Sequence, residues 1–255
     1  MRRFFVLFLC AAAPSAVVAA DGALTLGVGL DYSSGEYGKT ETTSVSTVQF
    51  GAKYDTQRWT FRASLPFLRI SGPAGVVGVG SDAIVLPGEA EGRRDVSGLG
   101  DLGVSATYKA IADPKAPLLV DVGARVKLAT ADESKGLGTG KNDYSLHVDV
   151  VRNADGVSPF ATLGYRWYGD PAGIELRNAW FGTLGFAWRD ASGTSLGAAY
   201  DYRQRTVDGG ANVSELMLFL AQPLGQEWKV QLYFIRGFSD ASPDAGVGAF
   251  AAYSF

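Results

Sequence analysis

Cysteine is almost missing from this sequence, and the one cysteine, Cys10, lies near the amino terminus. The chain beyond it therefore has neither structural disulfides nor metal sites built on thiolates. Lysine and arginine number 23 against 26 acidic residues, so no basic surplus is present to bind nucleic acid. These scarcities argue against a nucleic-acid partner and against thiolate-bound metals, and we expect neither a cofactor nor a metal site.

A long apolar run is also missing, since no stretch after residue 20 reaches the roughly 18 residues that a membrane helix needs. Hydrophobic residues nevertheless make up 47% of the chain, and aromatic residues make up 12%. The 33 glycines disfavour long helices, because a glycine costs about 1 kcal/mol in a helix interior. Little helix and much apolar surface together predict an all-β protein.

The first 20 residues have the pattern of a signal peptide. Arg2 and Arg3 form a basic start, and residues 4–13 form an apolar centre that is too short to cross a bilayer. Small residues at Val18-Ala19-Ala20 then offer a cleavage site. We therefore expect residues 1–20 to be removed on export and residues 21–255 to form one domain.

Alternation of apolar and polar residues predicts twelve antiparallel strands, most of them long enough to cross a bilayer at a tilt. They cover residues 22–32, 45–54, 58–70, 98–110, 117–130, 142–152, 158–169, 179–189, 194–205, 213–222, 228–238 and 245–255. The connections alternate between short turns and longer loops, as in bacterial outer-membrane barrels, whose short turns are periplasmic. Ten or fourteen strands are also compatible with this pattern.

Each predicted strand has an apolar face and a polar face. In residues 117–130, Val122 and Val126 lie on one face, and Asp121 and Arg125 lie on the other. A dry core could not hold so many charges, because burying an unpaired ion costs several kcal/mol. The sequence therefore predicts a transmembrane β-barrel of the outer-membrane type, with an apolar exterior in lipid and a wet, charged lumen. The predicted lumen-lining residues are Arg62, Asp101, Asp121, Arg125, Lys127, His147, Asp149, Arg166, Arg189, Asp201 and Arg203.

Aromatic residues concentrate near the predicted strand ends, where outer-membrane barrels have girdles at the two membrane–water interfaces. They are Tyr32, Tyr54, Trp59, Tyr108, Trp167, Tyr168, Trp180, Trp188, Trp228, Tyr253 and Phe255. The alternating strand 245–255 ends in Phe255, a pattern that the barrel assembly machinery of the outer membrane recognises. We therefore expect that machinery, outer-membrane lipid and lipopolysaccharide to be partners.

Three segments resemble the outer-membrane family named for a meta-pathway of phenol degradation. The first is Gly-Leu-Gly-Asp-Leu at 98–102, and the second, 127–144, contains Lys-Leu-Ala-Thr-Ala-Asp and Gly-Leu-Gly-Thr-Gly. The third is Arg-Gly-Phe-Ser-Asp at 236–240, followed by the terminal strand. Where family members more often have Pro-Thr-Gly, this chain has Ala-Thr-Ala at 129–131. The family consists of small transporter-like barrels, so the resemblance implies an outer-membrane location and passage of small hydrophobic or aromatic molecules.

The longest predicted loop, residues 71–97, is the candidate constriction. Its apolar residues are too numerous for a freely solvated loop, so it either tucks into the lumen or lies over the rim. The candidate constriction residues are Val76, Val77, Val79, Ile84 and Leu86. Tucked in beside Arg62, Arg125 and Arg166, they would form an amphipathic path that suits a small aromatic acid or another apolar solute with one polar group.

Three functions are compatible with these features. Passive passage of a small-molecule solute is favoured because most of the outer loops are short. A structural or adhesion barrel with a sealed lumen is the alternative. An outer-membrane lipid hydrolase is the third, because such enzymes pair a His with a Ser, and His147 lies two residues after Ser145. Side chains at i and i+2 of a strand lie about 7 Å apart and would both face the lumen, so no catalytic residue is predicted.

Overall fold

The computed structural model describes residues 22–73, 75–78, 83–86, 93–113, 115–152 and 156–255. The predicted signal peptide lies outside these ranges. Within them the chain forms β-strands and one short 3-10 turn, Glu133–Lys135. No helix of the described residues has both the length and the apolar character that a membrane span requires.

The described ranges contain fifteen strands. They are β1 (Ala23–Gly35), β2 (Thr43–Asp55), β3 (Trp59–Pro73), β4 (Val76–Val77), β5 (Ile84–Val85), β6 (Arg93–Leu99), β7 (Leu102–Ile111), β8 (Leu118–Leu128), β9 (Asp143–Arg152), β10 (Val157–Trp167), β11 (Ala179–Arg189), β12 (Ser195–Arg203), β13 (Val213–Leu224), β14 (Trp228–Gly237) and β15 (Ala245–Ser254). β4 and β5 pair only with each other, as a small hairpin inside the longest loop. The other strands form the barrel.

The barrel is a single antiparallel sheet that closes on itself. β1 pairs with both β2 and β15, and β2 pairs with β3. β6 and β7 share one position in the ring, because β3 pairs with β6 through Phe67–Pro73 and with β7 through Trp59–Ser64. The described sheet therefore has twelve strand positions, which confirms the predicted antiparallel barrel.

The connections between strands alternate in length around the barrel. One end carries short turns such as 56–58 and 225–227, and the other carries longer loops such as 129–142 and 168–178. In the topology common to bacterial barrels, the end with short turns is periplasmic and the end with longer loops is extracellular. Both described chain ends lie at the turn end, since Phe255 donates its N–H to Leu24 O at 2.9 Å.

The structure differs from the prediction at residues 98–110, where two strands replace one continuous strand. Pro66 on β3 has no N–H to give to a neighbouring strand, and its carbonyl accepts from Gly100 N at 2.8 Å. The next residue, Asp101, accepts from Thr130 N at 3.1 Å. The wall is thus interrupted between β6 and β7, and the loop after β8 is fastened at the interruption.

Apolar side chains face outward around the whole barrel. On β8, Val122 is 45% exposed while its neighbour Asp121 is 3% exposed, and Arg125 lines an internal cavity. Large exposed apolar side chains occur on every strand of the barrel, whereas the inward positions between them carry most of the polar residues. Such an exterior is unfavourable in water and suits the hydrocarbon of a bilayer. The inside-out arrangement predicted from the alternation is therefore confirmed.

Aromatic side chains band both ends of this exterior. At the turn end, the ring centroids of Trp59 and Tyr108 lie 5.1 Å apart, and at the loop end those of Tyr165 and Trp180 lie 5.1 Å apart. Such rings suit the membrane–water interface, because one part of each is apolar and one part is polar. Tyr168 departs from the predicted girdle, since it is 8% exposed and packs inside the outer mouth.

Interior rings lie close against the barrel wall because each has a glycine directly opposite on the neighbouring strand. The pairs are His147–Gly123, Phe160–Gly185, Phe181–Gly164, Phe219–Gly197, Tyr233–Gly248 and Phe250–Gly29. A Cβ on any of these glycines would collide with atoms of the opposing ring. Aromatic–glycine pairs of this kind help to fix strand register, and they account for many of the glycines on the inner face.

Candidate functional site: the barrel lumen

The strand register arranges inward side chains in rows, because directly paired residues of neighbouring strands lie side by side on one face. The strands of such barrels tilt by about 35–45°, so each row runs obliquely across the lumen. Three parallel rows differ in chemistry, and we name them the basic, acidic and apolar rows.

The basic row crosses the inner wall from β2 to β10. In order it contains Lys53, Arg62, Ser105, Arg125, Ser145 and Arg166. Arginine and serine therefore alternate from strand to strand. Arg62 lies near the turn end of β3 and Arg166 near the loop end of β10. The row thus rises through the barrel from the periplasmic side toward the outer side.

The arginines of the basic row line an internal cavity of about 100 Å³. Its other lining residues are Ser64, Gly103, Val104, Ser105, Thr107, Ser145, His147, Asp149, Thr162 and Phe181. Among these lining residues, three guanidinium groups face a single carboxylate. Since one water needs roughly 10–15 Å³ of such space, the cavity has room for several waters or a small solute.

Contacts around the cavity leave one buried donor of Arg62 without a partner among the described residues. The guanidinium carbon of Arg166 lies 5.4 Å from the ring centroid of Phe181, within cation–π range. The Nε of Arg62 is buried, with no hydrogen-bond partner in the described part of the chain. The carboxylate of Asp149 is already engaged, because it accepts from Thr162 Oγ1 at 2.5 Å and lies 3.5 Å from the Nε2 of His147.

The acidic row lies parallel to the basic row and nearer the turn end on β8, β9 and β10. It contains Lys109, Asp121, Asp149, Thr162, Thr183, Asp201 and Glu215. Thr162 donates to Asp149, and Thr183 donates to Asp201. These hydroxyls supply the hydrogen bonds that buried carboxylates require.

The apolar row is the next one toward the turn end. It contains Leu119, Val151, Phe160, Gly185, Ala199, Met217 and Ile235. With Ala187, Phe219 and Tyr233 these side chains form a buried interior cluster. The lumen, predicted to be wet and charged, therefore also contains an apolar region. The cluster also explains the residues 216–221, which are apolar on both faces, because Met217 and Phe219 turn inward to it.

Two predicted lumen residues, Asp101 and Lys127, belong to a buried ionic cluster at the interruption between β6 and β7. Lys127 Nζ lies 2.8 Å from Asp101 Oδ2 and 3.2 Å from Asp143 Oδ2. It also donates to Thr139 Oγ1 at 3.2 Å and to the carbonyl of Lys141 at 3.1 Å. The segments 98–102 and 127–144 meet at this cluster, which indicates that their motifs hold the wall together.

The β4–β5 hairpin lies inside the outer mouth of the barrel. Val76 is 3% exposed and Ile84 is 1% exposed. Arg203, which faces inward at the loop end of β12, donates from Nη2 to the carbonyl of Ala83 at 2.7 Å. Arg94 donates from Nη2 to the carbonyl of Val76 at 2.6 Å. Two arginines of the wall therefore hold the two sides of the hairpin.

Apolar packing places the hairpin in the mouth rather than over the rim. Ile84 forms a buried cluster with Tyr168, Leu176, Ala179 and Val207, and Leu86 packs against it. Ala179 is at the inner face of the wall and is fully buried. Val77 is 5% exposed. Val79 lies outside the described residues.

The loop between β8 and β9 narrows the mouth from another side. Leu137 is 1% exposed and packs on Val45, Leu68 and Ile70 at the outer ends of β2 and β3. Arg94 joins this loop to the hairpin, because its Nη1 donates to the carbonyl of Lys135 at 3.2 Å. The outer entrance is thus narrowed by parts of two loops.

The phenol of Tyr37, in the loop after β1, is also buried at the loop end. Tyr37 is 6% exposed and has a φ of 50°, a left-handed conformation that few residues other than glycine adopt. Burial raises the pKa of Tyr37, and the nearby carboxylate of Glu215 raises it further. The phenol therefore remains neutral over the physiological pH range.

The structure brings together only some of the predicted lumen residues. Those around the cavity are Arg62, Arg125, His147, Asp149 and Arg166. Asp121 and Asp201 lie in the acidic row, and Arg203 lies in the mouth. Arg189 lies at the turn end, where its Nε donates to Ser195 Oγ at 3.3 Å.

In the described ranges, no three His, Cys, Asp or Glu side chains are arranged to hold a metal ion.

Sequence reasoning misses several residues that shape the lumen. Ser105 and Phe181 carry no charge, and only the strand register shows that they lie beside arginines. The position of Glu215 is predictable from the sequence, because extending the alternation of β13 backward from Phe219 places Glu215 on the inner face.

Solved structures of outer-membrane proteins share this fold. An outer-membrane channel of Pseudomonas putida F1 aligns with a TM-score of 0.71 at 18% identity, covering 95% of this chain and 99% of that chain. The KdgM porin aligns with a TM-score of 0.54 at 11% identity, covering 90% and 99%. The β domain of the Bordetella autotransporter BrkA aligns with a TM-score of 0.51 at 14% identity, covering 93% and 100%. No curated protein matches this chain in sequence.

Nearly the whole chain matches the model of one protein family. The family model described as "Putative MetA-pathway of phenol degradation" matches residues 15–255. This range includes all three segments that carry the resemblance. The apolar belt and the twelve strand positions agree with the structures above and with a location in the bacterial outer membrane. The chain is thus an outer-membrane β-barrel that belongs to the "Putative MetA-pathway of phenol degradation" family.

Proposed function

We propose that this barrel is a passive channel for small apolar or aromatic molecules that carry a polar group. The observation that carries the proposal is the chemistry of the lumen, where a cavity lined by arginines and hydroxyls occurs in the same barrel as a continuous apolar row. Sites for small molecules combine apolar surface with a few placed polar groups in this way. The channel of Pseudomonas putida and the reference to phenol degradation in the family description agree with the proposal.

A structural or adhesion barrel with a sealed lumen is the main alternative, and the fold does not exclude it, because an autotransporter β domain has a similar barrel. A sealed barrel gains nothing from lining one cavity with three arginines, since each charge that leaves water has a desolvation cost. The arginines of the basic row would then be replaceable by neutral residues. Their number around one cavity favours passage.

Hydrolysis of lipid is disfavoured by the position of the histidine and serine. Ser145 and His147 both face the lumen on β9, on the opposite side of the wall from lipid. Ser145 lies in register with Arg125, and His147 has its Nε2 3.5 Å from Asp149. We therefore assign both residues to the lining of the channel.

The test of the proposal is single-channel conductance of the refolded barrel in planar bilayers. We expect the wild-type protein to conduct, and deletion of residues 74–90 to raise the conductance several-fold, because the hairpin is removed from the mouth. Arg203→Gln is expected to give a smaller rise, since it removes the donor to the carbonyl of Ala83. Arg205→Gln is the matched control, because Arg205 is an exposed arginine at the same rim.

The variants distinguish a channel from a sealed barrel. Conductance in the wild type that rises on deletion supports the proposal. Equal conductance in Arg203→Gln and Arg205→Gln would show that the hydrogen bond from Arg203 to the hairpin does not restrict the current. An absence of current and of solute flux in both the wild type and the deletion variant would refute passage altogether.

A further inference from the structure

The basic row has a regular geometry that goes beyond a collection of lumen charges. Arg62, Arg125 and Arg166 occupy alternate strand positions of one row, and Ser105 and Ser145 fill the positions between them. Neighbouring strands lie about 4.8 Å apart, so successive arginines are about 10 Å apart across the wall. Each pair of arginines therefore has a serine at the strand position between them.

Because the basic row runs obliquely, it also connects the two ends of the barrel. The row passes from the loop end of β10, through the middle of β8, to the turn end of β3. Lys53 continues it onto β2, and Thr25, paired with Lys53, continues it to the start of β1. The donors that a solute would follow run from Arg166 to Arg62, because the ammonium of Lys53 is already paired with Asp55 Oδ2 at 2.6 Å.

We propose that the basic row is a stepwise binding track for small aromatic carboxylates. The inference rests on the proposed channel function and specifies the substrate class of the same lumen. A carboxylate is the planar anion that a guanidinium binds through two parallel hydrogen bonds. The intervening serine hydroxyls hold the anion as it moves from one arginine to the next.

The charge balance of the cavity favours an anion. Among the described residues that line it, three are arginines and one, Asp149, is acidic, and the carboxylate of Asp149 is already held by Thr162 and lies close to His147. Asp149 belongs to the acidic row, and Thr183 engages Asp201 of the same row in the same way. An entering carboxylate would therefore meet an excess of cationic lining residues, including Arg62, whose buried Nε lacks a hydrogen-bond partner among the described residues.

Two aromatic rings lie beside Arg166 and indicate that the carboxylate is an aromatic one. The guanidinium of Arg166 lies over the rings of Phe181 and Tyr168, at 5.4 and 5.7 Å from their centroids. Phe181 also lines the cavity, so a solute held by Arg166 lies beside an aromatic face. Stacked rings favour one another beyond simple burial, which distinguishes an aromatic carboxylate from an aliphatic one.

The experiment measures block of the ion current by sodium benzoate, with benzamide as the neutral analogue of the same shape and acetate as the carboxylate without a ring. We expect benzoate to block the wild-type channel and benzamide to leave the current unchanged. Arg125→Gln is expected to weaken the block roughly tenfold, because the middle donor of the track is lost. Arg152→Gln is the matched control, since Arg152 is an exposed arginine on the lipid-facing side of β9, the strand next to Arg125.

Phe181→Leu tests the aromatic part separately, and we expect it to reduce the block by benzoate while leaving any block by acetate unchanged. All variants are compared as refolded barrels with wild-type circular dichroism. Arg62→Gln or Arg166→Gln takes the place of Arg125→Gln should that variant not fold.

The outcomes separate this inference from the channel function. A barrel that conducts, but that benzoate blocks no better than benzamide, would overturn the track while leaving the channel intact. An equal block in Arg125→Gln and wild type would do the same, and equal block by acetate and benzoate would overturn the aromatic preference. A barrel that does not conduct at all would instead refute the channel itself.

Discussion

Replacing Leu184 by arginine is expected to lower the free energy of unfolding from a lipid bilayer by about 2–4 kcal/mol, the cost of an arginine at the bilayer midplane on the lipid face of a barrel. Leu184 is central in β11 and is 67% exposed, more than any other outward side chain of that strand. Its side chain therefore faces the hydrocarbon core, where no water or charge compensates a guanidinium. The measurement is equilibrium unfolding by denaturant in phospholipid vesicles.

The matched control is Leu196→Arg. Leu196 is 54% exposed, also faces outward, and pairs with Trp188 of the aromatic girdle at the turn end. An arginine at that depth reaches the headgroups, so the expected cost is only about 0–1 kcal/mol. Equal costs at the two positions would contradict the assignment of the exterior to lipid, because only a bilayer makes the cost depend on depth.

Much of the barrel follows from alternation alone, because lipid outside and water inside demand opposite chemistry on the two faces of every strand. The residues 179–189 are predicted and observed as a strand with identical bounds. The one large departure, the interruption after Leu99, depends on Pro66 and on the pairing of β3 with two strands. Alternation within one segment contains no information about a neighbour that is distant in sequence, as Pro66 is from Gly100.

The lumen is less predictable, because its chemistry depends on register. Arg62, Arg125 and Arg166 can each be placed on an inner face from their own strands. That they share one row depends on pairings across β3, β7, β8, β9 and β10. A shift of one pairing by two residues would keep every face and destroy the row. Tyr168 illustrates the same limit, since a position at a strand end suits both a girdle and the inside of a mouth.

Replacing Lys127 by methionine is expected to destabilise the barrel by about 3–5 kcal/mol, the range for breaking a buried ion pair by removing one partner. The side chains of Asp101 and Asp143 are 9% and 6% exposed, and both would lose the ammonium group that lies 2.8 and 3.2 Å from their carboxylates. Asp101 also accepts from the N–H groups of Thr130 and Ala131 at the interruption of the wall. Loss of the lysine should therefore loosen the joint between β6, β7 and the loop after β8. Equilibrium unfolding in vesicles measures the effect.

Two further variants decide whether the cost arises from uncompensated charge. Lys135→Met removes the lysine of an exposed pair, in which Nζ lies 3.5 Å from Asp132 Oδ2, and such pairs contribute only about 0–1 kcal/mol. Adding Asp101→Asn and Asp143→Asn to Lys127→Met should restore part of the lost stability, because the amide oxygens can still accept the backbone hydrogen bonds while the two carboxylates that Lys127 contacts no longer carry charge. A triple variant as unstable as Lys127→Met would instead assign the loss to packing. The segments shared with the family would then owe their role to shape rather than to ionic pairing.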